Sequence, residues 1–402
     1  SHHWKKETLI NSIVFRRFTI ILGALFFITL FTTNSVFPKE KVNRYRSNYK
    51  AALLADANSG RILHHDRIHQ KLYSASLVKM MVALIALEEI ESGHISLQDS
   101  VKVSRWASKI GGHQVYLKQG EIFKFSELMK ATVISSANDA AVAVAEHVKG
   151  NVKIFIKKMN ERALELGMNN TDFYSVHGLP PGRGQKFDVS SAYDLYLLAL
   201  ELIKHPQFLR WSSTRLDSFR NGTFQLLNTN HRLIRGYRGM EGLKTGYHRR
   251  AGFNLVSSAK RNGQRYICIV LGTKNSRLRS KSARHLLDYG FDKYQIYEFN
   301  KKDVSSYSAG VKGGEVENVS LSANESVRLL LNAEELQRLE IRPQIPYQTI
   351  APVKVKQKLG TLEYWLDGKM LKQVALQTEF VVKKQSFLSE VTFMLTNLSD
   401  RN

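Results

Sequence analysis

From Tyr73 to Gly93 the chain reads YSASLVKMMVALIALEEIESG. Leu, Val, Met, Ile and Ala cover nearly every side of the helix this run would form, and a glycine closes it. A helix apolar all round belongs in the middle of a domain rather than on its surface. Yet the run opens with serines and carries one lysine. Ser76 and Lys79 stand three residues apart, so on a helix they share a face and can touch. Either the helix is merely capped by serine and carries a stray Lys, or a serine nucleophile sits beside its activating amine.

The patterns on both sides of this helix are mixed. Ahead of it, YKAALLADANSGRILHHD (49–66) reads as two short strands around an Asn-Ser-Gly turn. Behind it, helical periodicity runs over Ser126–Lys149, Val152–Leu166 and Ser190–Ile203. FNLVSSAKRNGQRYICIVLG (253–272) is a hairpin with Arg-Asn-Gly at its turn. A further helix is expected over Ser280–Leu287. Beyond Phe299 the segments become short and alternating, as in VKGGEVENVSLSAN and VKVKQKLGTLEYWLDGKML, which describes a small all-β domain. From Ser386 to Asn402 a stripe of Phe387, Leu388, Val391, Leu395 and Leu398 fits a short amphipathic helix, either an interfacial anchor or a packing element.

A chain of 402 residues, 43% hydrophobic and 23% charged, is globular and long enough for two domains. Its formal net charge of +24 favours anionic partners, whether nucleic acid, anionic lipid or an acidic substrate. Cys268 is the only cysteine, so no intramolecular disulfide forms; it lies in the apolar run YICIVLG and reads as a core residue. Near the start, Lys5, Lys6, Arg16 and Arg17 precede FTIILGALFFITLF. That is the pattern of a secretory signal peptide or an uncleaved membrane anchor, and either sends the bulk of the chain across a membrane.

Ser-x-x-Lys alone arises often by chance. Here two further short motifs follow it: Ser136-Ala-Asn138 in VISSANDAAVA, and Lys244-Thr-Gly246 in MEGLKTGYHRRAGFNLV. The last lies where an edge strand could offer its backbone to a peptide. The three in this order, with ASLVKMM, SANDAA, FYSVHGL, KTGYHRRAGFNLVSSA and APVKVKQKLGTLEYWLDGK, resemble the low-molecular-mass penicillin-binding proteins, the serine D-alanyl-D-alanine carboxypeptidases. The resemblance runs from about Ala51 to Phe380. It implies an α+β fold: a penicillin-binding/β-lactamase-like catalytic domain, with a five-stranded antiparallel sheet flanked by helices, followed by a small β-rich domain. The expected division is an N-terminal signal or anchor with a basic linker (1–46), the catalytic domain (47–298), the β-rich domain (299–380) and the possible C-terminal helix (381–402).

Residue chemistry agrees with that reading. Ser76 must lose a proton to attack a carbonyl, and Lys79 can take it only when neutral, which at pH 7 is true of about one free lysine in 2,500. Burial and a second cation, Lys244, would both lower its pKa. The resemblance implies that Ser136 shuttles a proton to the leaving amine and that Asn138 holds Lys79 and the substrate amide. It also assigns the oxyanion to the backbone N–H groups of Ser76 and Tyr247, and leaves Gly246 to open the strand edge. From Lys244 to Arg284 there are eleven Lys or Arg and no Asp or Glu, which suits a substrate ending in a carboxylate. Thr245 and Arg279 are its expected partners, Arg279 by the position at which the family binds carboxylate. Tyr247-His248-Arg249-Arg250 departs from the His and Thr-Asp common in the family, and His113 stands where a small hydroxyl residue is commoner.

Other groups carry less. Glu165 in ELGMN faintly resembles the deacylating Glu of class A β-lactamases but follows Asn138 too closely. His65 and His69 are spaced i, i+4 with His64 adjacent, but no convincing third metal ligand accompanies the pair, and His177 reads as a turn residue or a site-rim contact. No cofactor and no metal are expected. The expectation is an exported carboxypeptidase, periplasmic or on the outer face of the cytoplasmic membrane, that removes terminal D-Ala from peptidoglycan stem peptides and is acylated by β-lactams. The alternatives are an endopeptidase or β-lactamase on the same fold, or a catalytically silent wall-binding module; no nucleic-acid module is recognisable.

Overall fold

Alternating and continuous apolar runs set the strands of the first domain, in which the computed structural model describes residues 48–300, with 307–386 described beyond it. The expected signal or anchor segment and every residue of the C-terminal amphipathic stripe lie outside the described residues. In chain order the first domain contains β1 (Ala51–Asp56), β2 (Ile62–Asp66), α1 (Lys79–Glu91), α2 (Phe125–Val133), α3 (Asn138–Lys149) and α4 (Val152–Glu165). Next come α5 (Ala192–Leu202), α6 (Pro206–Ser213), α7 (His231–Gly236), β3 (Met240–His248), β4 (Gly252–Arg261), β5 (Gln264–Thr273) and α8 (Ser276–Lys293). The five strands form one antiparallel sheet in the order β2-β1-β5-β4-β3. β3, with the Lys-Thr-Gly motif, is therefore an edge strand, as expected.

The β4–β5 hairpin turns at Asn262 and Gly263, with φ of 48° and 82°. Two successive left-handed residues match the right-handed twist of the strands they join. α1 is the central helix: Lys79 to Leu87 are all buried, and Met80, Met81, Leu84 and Ile85 lie in a core shared with α3 and α5. Each such aliphatic side chain contributes roughly 1.5–3 kcal/mol on burial. A turn of 3-10 helix, Ala75–Val78, precedes α1 and carries Ser76.

Two expectations change. The single helical pattern over Ser126–Lys149 is two helices, because Ser136 adopts φ 64° and breaks the run between α2 and α3. The helix expected at Ser280–Leu287 runs from Ser276 to Lys293, capped at its start by the Asn275 side chain, which accepts from Leu278 N at 2.8 Å. Its first turn is mostly polar, and in its last the apolar positions are Tyr289, Gly290 and Phe291, of which Gly290 is a poor helix former.

The C-terminal strands build a six-stranded sheet with its own core around Val319, Leu321, Leu362, Tyr364 and Leu376. A separate two-stranded ribbon pairs Gln295–Phe299 with Val327–Leu331, so this domain's first strand begins ahead of the expected boundary at 299. One short helix, Ala333–Arg338, interrupts the β pattern, with a capping box between Asn332 and Glu335. Among the described residues no helix is long and apolar enough to cross a membrane.

Candidate active site

Three elements meet at the start of α1. The turn before it holds Ser76 half-buried, within reach of solvent, while Lys79 one turn later is 1% exposed. Lys79 Nζ lies 3.0 Å from Ser76 Oγ, 2.7 Å from Asn138 Oδ1 and 2.7 Å from the carbonyl oxygen of His177. Asn138 heads α3, and its Nδ2 donates to Gly111 O at 2.8 Å, which fixes which end of the amide faces Lys79. Ser136 is 95% buried in the left-handed turn just before α3.

β3 closes the other side. Lys244 is 2% exposed and donates to Thr245 O at 3.1 Å. Thr245 Oγ1 donates to Thr229 Oγ1 at 2.7 Å. Gly246 lies against the Ser76 turn so closely that a Cβ there would meet Ser74 O at 2.7 Å. Tyr247 points outward, 55% exposed, and stacks on Phe253 at 4.1 Å between ring centroids. Arg279, on the second turn of α8, is 8% exposed.

The electrostatics follow from burying so many cations together. Desolvation holds the Lys79 pKa well below its ordinary value, and Lys244 lowers it further, whereas Asp188 and Asp139 pull it back up. Lys244 is lowered to about 7 by burial and by Arg279, and burial brings Arg279 itself to about 10. Both effects expected for Lys79, burial and the neighbouring Lys244, are present. His113 lies at the exposed rim, its pKa lowered by partial desolvation and by Lys244 and Lys79, while its carbonyl accepts from Asn138 N at 2.7 Å.

Several supporting groups had no side-chain motif to reveal them. The His177 contribution is a backbone carbonyl; its imidazole Nδ1 instead accepts from Leu179 N at 3.1 Å, and burial lowers the ring's pKa to about 4. Gly178, next to it, has φ 76°, and a Cβ there would meet Ala75 O at 2.1 Å. Asp139 is fully buried and accepts from Val115 N and Leu117 N, bracing the loop that carries His113. Asp188 accepts from Tyr174 N, Ser175 N and Ser175 Oγ, and burial raises its pKa. Asn254 on β4 donates to Tyr73 O at 2.9 Å and ties the sheet to the Ser76 turn.

The lesser candidates lie elsewhere. Glu165 ends α4 on an exposed face, paired with Arg162 and Lys158. His64 hydrogen-bonds the Tyr49 hydroxyl, and His69 packs on the Tyr193 ring. Among the described residues no cluster of His, Cys, Asp or Glu could hold a metal.

Comparison with known proteins agrees with this geometry. Residues 39–275 match the family model described as D-alanyl-D-alanine carboxypeptidase, and residues 291–384 match that of the penicillin-binding protein 5 C-terminal domain. The chain is 33% identical over 355 residues to the D-alanyl-D-alanine carboxypeptidase DacF of Bacillus subtilis (strain 168), covering 87% of this chain and 89% of that protein. It is 31% identical to DacC of Escherichia coli (strain K12), covering 91% and 92%. Among solved structures, penicillin binding protein 5 from Haemophilus influenzae superposes with a TM-score of 0.67 at 27% identity, over 84% of this chain and 98% of that one. The ampicillin-bound penicillin-binding protein D2 from Listeria monocytogenes has a TM-score of 0.55 at 30% identity, over 60% and 97%.

Proposed function

Because the chain belongs to the D-alanyl-D-alanine carboxypeptidase family, the low-molecular-mass penicillin-binding proteins, we propose that Ser76 is the nucleophile with which it removes the terminal D-Ala of peptidoglycan stem peptides. Lys79 is the base. The observation that carries this assignment is the coordination of Lys79 Nζ. A neutral amine has two N–H bonds and one lone pair. Asn138 Oδ1 and the His177 carbonyl can only accept, so they take the two hydrogens. The lone pair is left facing Ser76 Oγ at 3.0 Å, within range for proton transfer.

In the reaction Ser76 Oγ attacks the carbonyl of the penultimate D-Ala as its proton passes to Lys79. The oxyanion is held by the N–H groups of Ser76 and Tyr247, a type of contact worth about 3 kcal/mol for each donor. Ser136 passes a proton to the leaving amine, whose carboxylate rests on Thr245 and Arg279. Water then hydrolyses the ester. A β-lactam enters the same first step, but its leaving amine stays tethered to the acyl group and blocks water.

The direct test is release of D-Ala from diacetyl-L-Lys-D-Ala-D-Ala. The chain should release it and Ser76→Ala should lose about 10³-fold or more of the rate. Undiminished release by folded Ser76→Ala contradicts the assignment.

A peptidoglycan substrate places the site outside the cytoplasmic membrane. We read residues 1–46, with Arg16 and Arg17 before an apolar run, as the segment that exports the chain or anchors it there. Fractionation of cells making the full chain tests this, and a purely cytoplasmic product contradicts it.

A further inference from the structure

A cavity of about 630 Å³ lies between α7 and the first turns of α8, beside the site, and Arg279 is the one residue of its lining to which the chemistry above gives a role. It touches the leaving-group side of the machinery. Thr229 lines it and accepts the hydrogen bond from Thr245, and Arg279 lines it as well. Arg232, Arg277, Lys281 and Arg284 complete a wall on which no acidic side chain stands.

Two buried donors in this wall, Arg279 Nε and Asn230 Nδ2, have no hydrogen-bond partner, and their residues are 8% and 4% exposed. Buried donors are normally satisfied; the D-Ala carboxylate answers for Arg279, which leaves Asn230 Nδ2 as the donor of the two that such a substrate does not account for. α8 adds the positive end of an 18-residue helix, with no acidic residue in its first turn. The terminal carboxylate of a D-Ala leaving group has two oxygens, and Thr245 with Arg279 accounts for them. Arg232 and Arg277, exposed in the same lining, remain uncompensated by such a substrate.

We propose that this cavity is a leaving-group subsite for a residue carrying a second anionic group. The inference rests on the carboxypeptidase reading and extends it. The enzyme then cleaves D-Ala–X bonds in which X bears a carboxylate beyond the one held by Arg279. The chemistry is unchanged: the acyl C–N bond breaks as the Ser76 ester forms, X departs as an amine with the proton delivered to it, and water restores the serine.

The test compares diacetyl-L-Lys-D-Ala-D-Ala with diacetyl-L-Lys-D-Ala-D-Glu, using the full chain and the double variant Arg232→Ser/Arg277→Ser. The unmodified protein should favour the D-Glu peptide by about tenfold in kcat/KM, chiefly through KM, and less at high salt because both arginines are exposed. The double variant should lose that preference while its D-Ala release stays within about twofold. D-Ala release with no preference for D-Glu, or equal loss on both peptides in the variant, overturns the subsite alone. Release of neither residue by folded protein overturns the carboxypeptidase reading with it.

Discussion

Two lysines in one buried site impose a cost on folding that only chemistry explains. Lys244 has its pKa lowered from the usual 10.5 to about 7. Below pH 7 the folded protein therefore holds a desolvated cation that the unfolded chain carries in water. Between about 7 and 10.5 only the unfolded chain binds that proton, so stability rises with pH across this window. Replacing Lys244 by Met, similar in length and apolar, should raise Tm at pH 6, with a gain that shrinks towards pH 10, while D-Ala release falls by about 100-fold or more. Thermal melts at the two pH values check this; a gain that is absent at pH 6, or the same at both, contradicts the burial argument. At this scale the sequence was highly legible. The roles proposed for Ser76, Lys79, Asn138 and Lys244 lie in their side chains, and each belongs to a short motif that the structure brings to one place. The His177 carbonyl was hidden, because a backbone oxygen has no residue type to betray it.

The loop carrying His177 shows how an element supports those residues. Asp188 gathers Tyr174 N, Ser175 N and Ser175 Oγ, which shapes the loop. Gly178 lets it press on the nucleophile's turn, since a Cβ would overlap Ala75 O at 2.1 Å and Ser76 N at 2.8 Å. Gly178→Ala must displace the loop, and with it the acceptor that holds one Lys79 hydrogen. The expected result is penicillin acylation slowed by about tenfold or more in a protein that still folds cooperatively. Acylation at the normal rate in stopped-flow or labelling assays would mean that the His177 carbonyl is dispensable. Strands and the central helix were readable from hydrophobic periodicity. The break at Ser136 was not, because Ser135 and Ser136 sit between apolar residues without the Gly or Pro that would mark a break, while the backbone leaves the helix. The outer turns of α8 were missed for other reasons: the first is mostly polar, and the last holds Gly290.

Among the described residues there are two hydrophobic cores, and one contact between the domains that carry them is polar. Arg61, in the turn between β1 and β2, donates to Leu330 O at 2.7 Å and forms an ion pair with the buried Glu335, which also closes the capping box at Asn332. The change of texture beyond Phe299 revealed that a second domain existed. What joined it did not show, because Arg61 and Glu335 are 274 positions apart and belong to no shared pattern. Sheet order was hidden likewise: β1 pairs with β5 across almost the whole first domain. The net charge of +24 also becomes specific only at this scale, where part of it gathers around the cavity between α7 and α8. Fold, motif order and electrostatics converge on a single reactive hydroxyl. The most direct measurement is the intact mass of the full chain after incubation with benzylpenicillin, followed by peptide mapping. One stable adduct on the peptide containing Ser76 is the expected result. A folded protein that takes up no adduct, or carries it on another residue, contradicts the account.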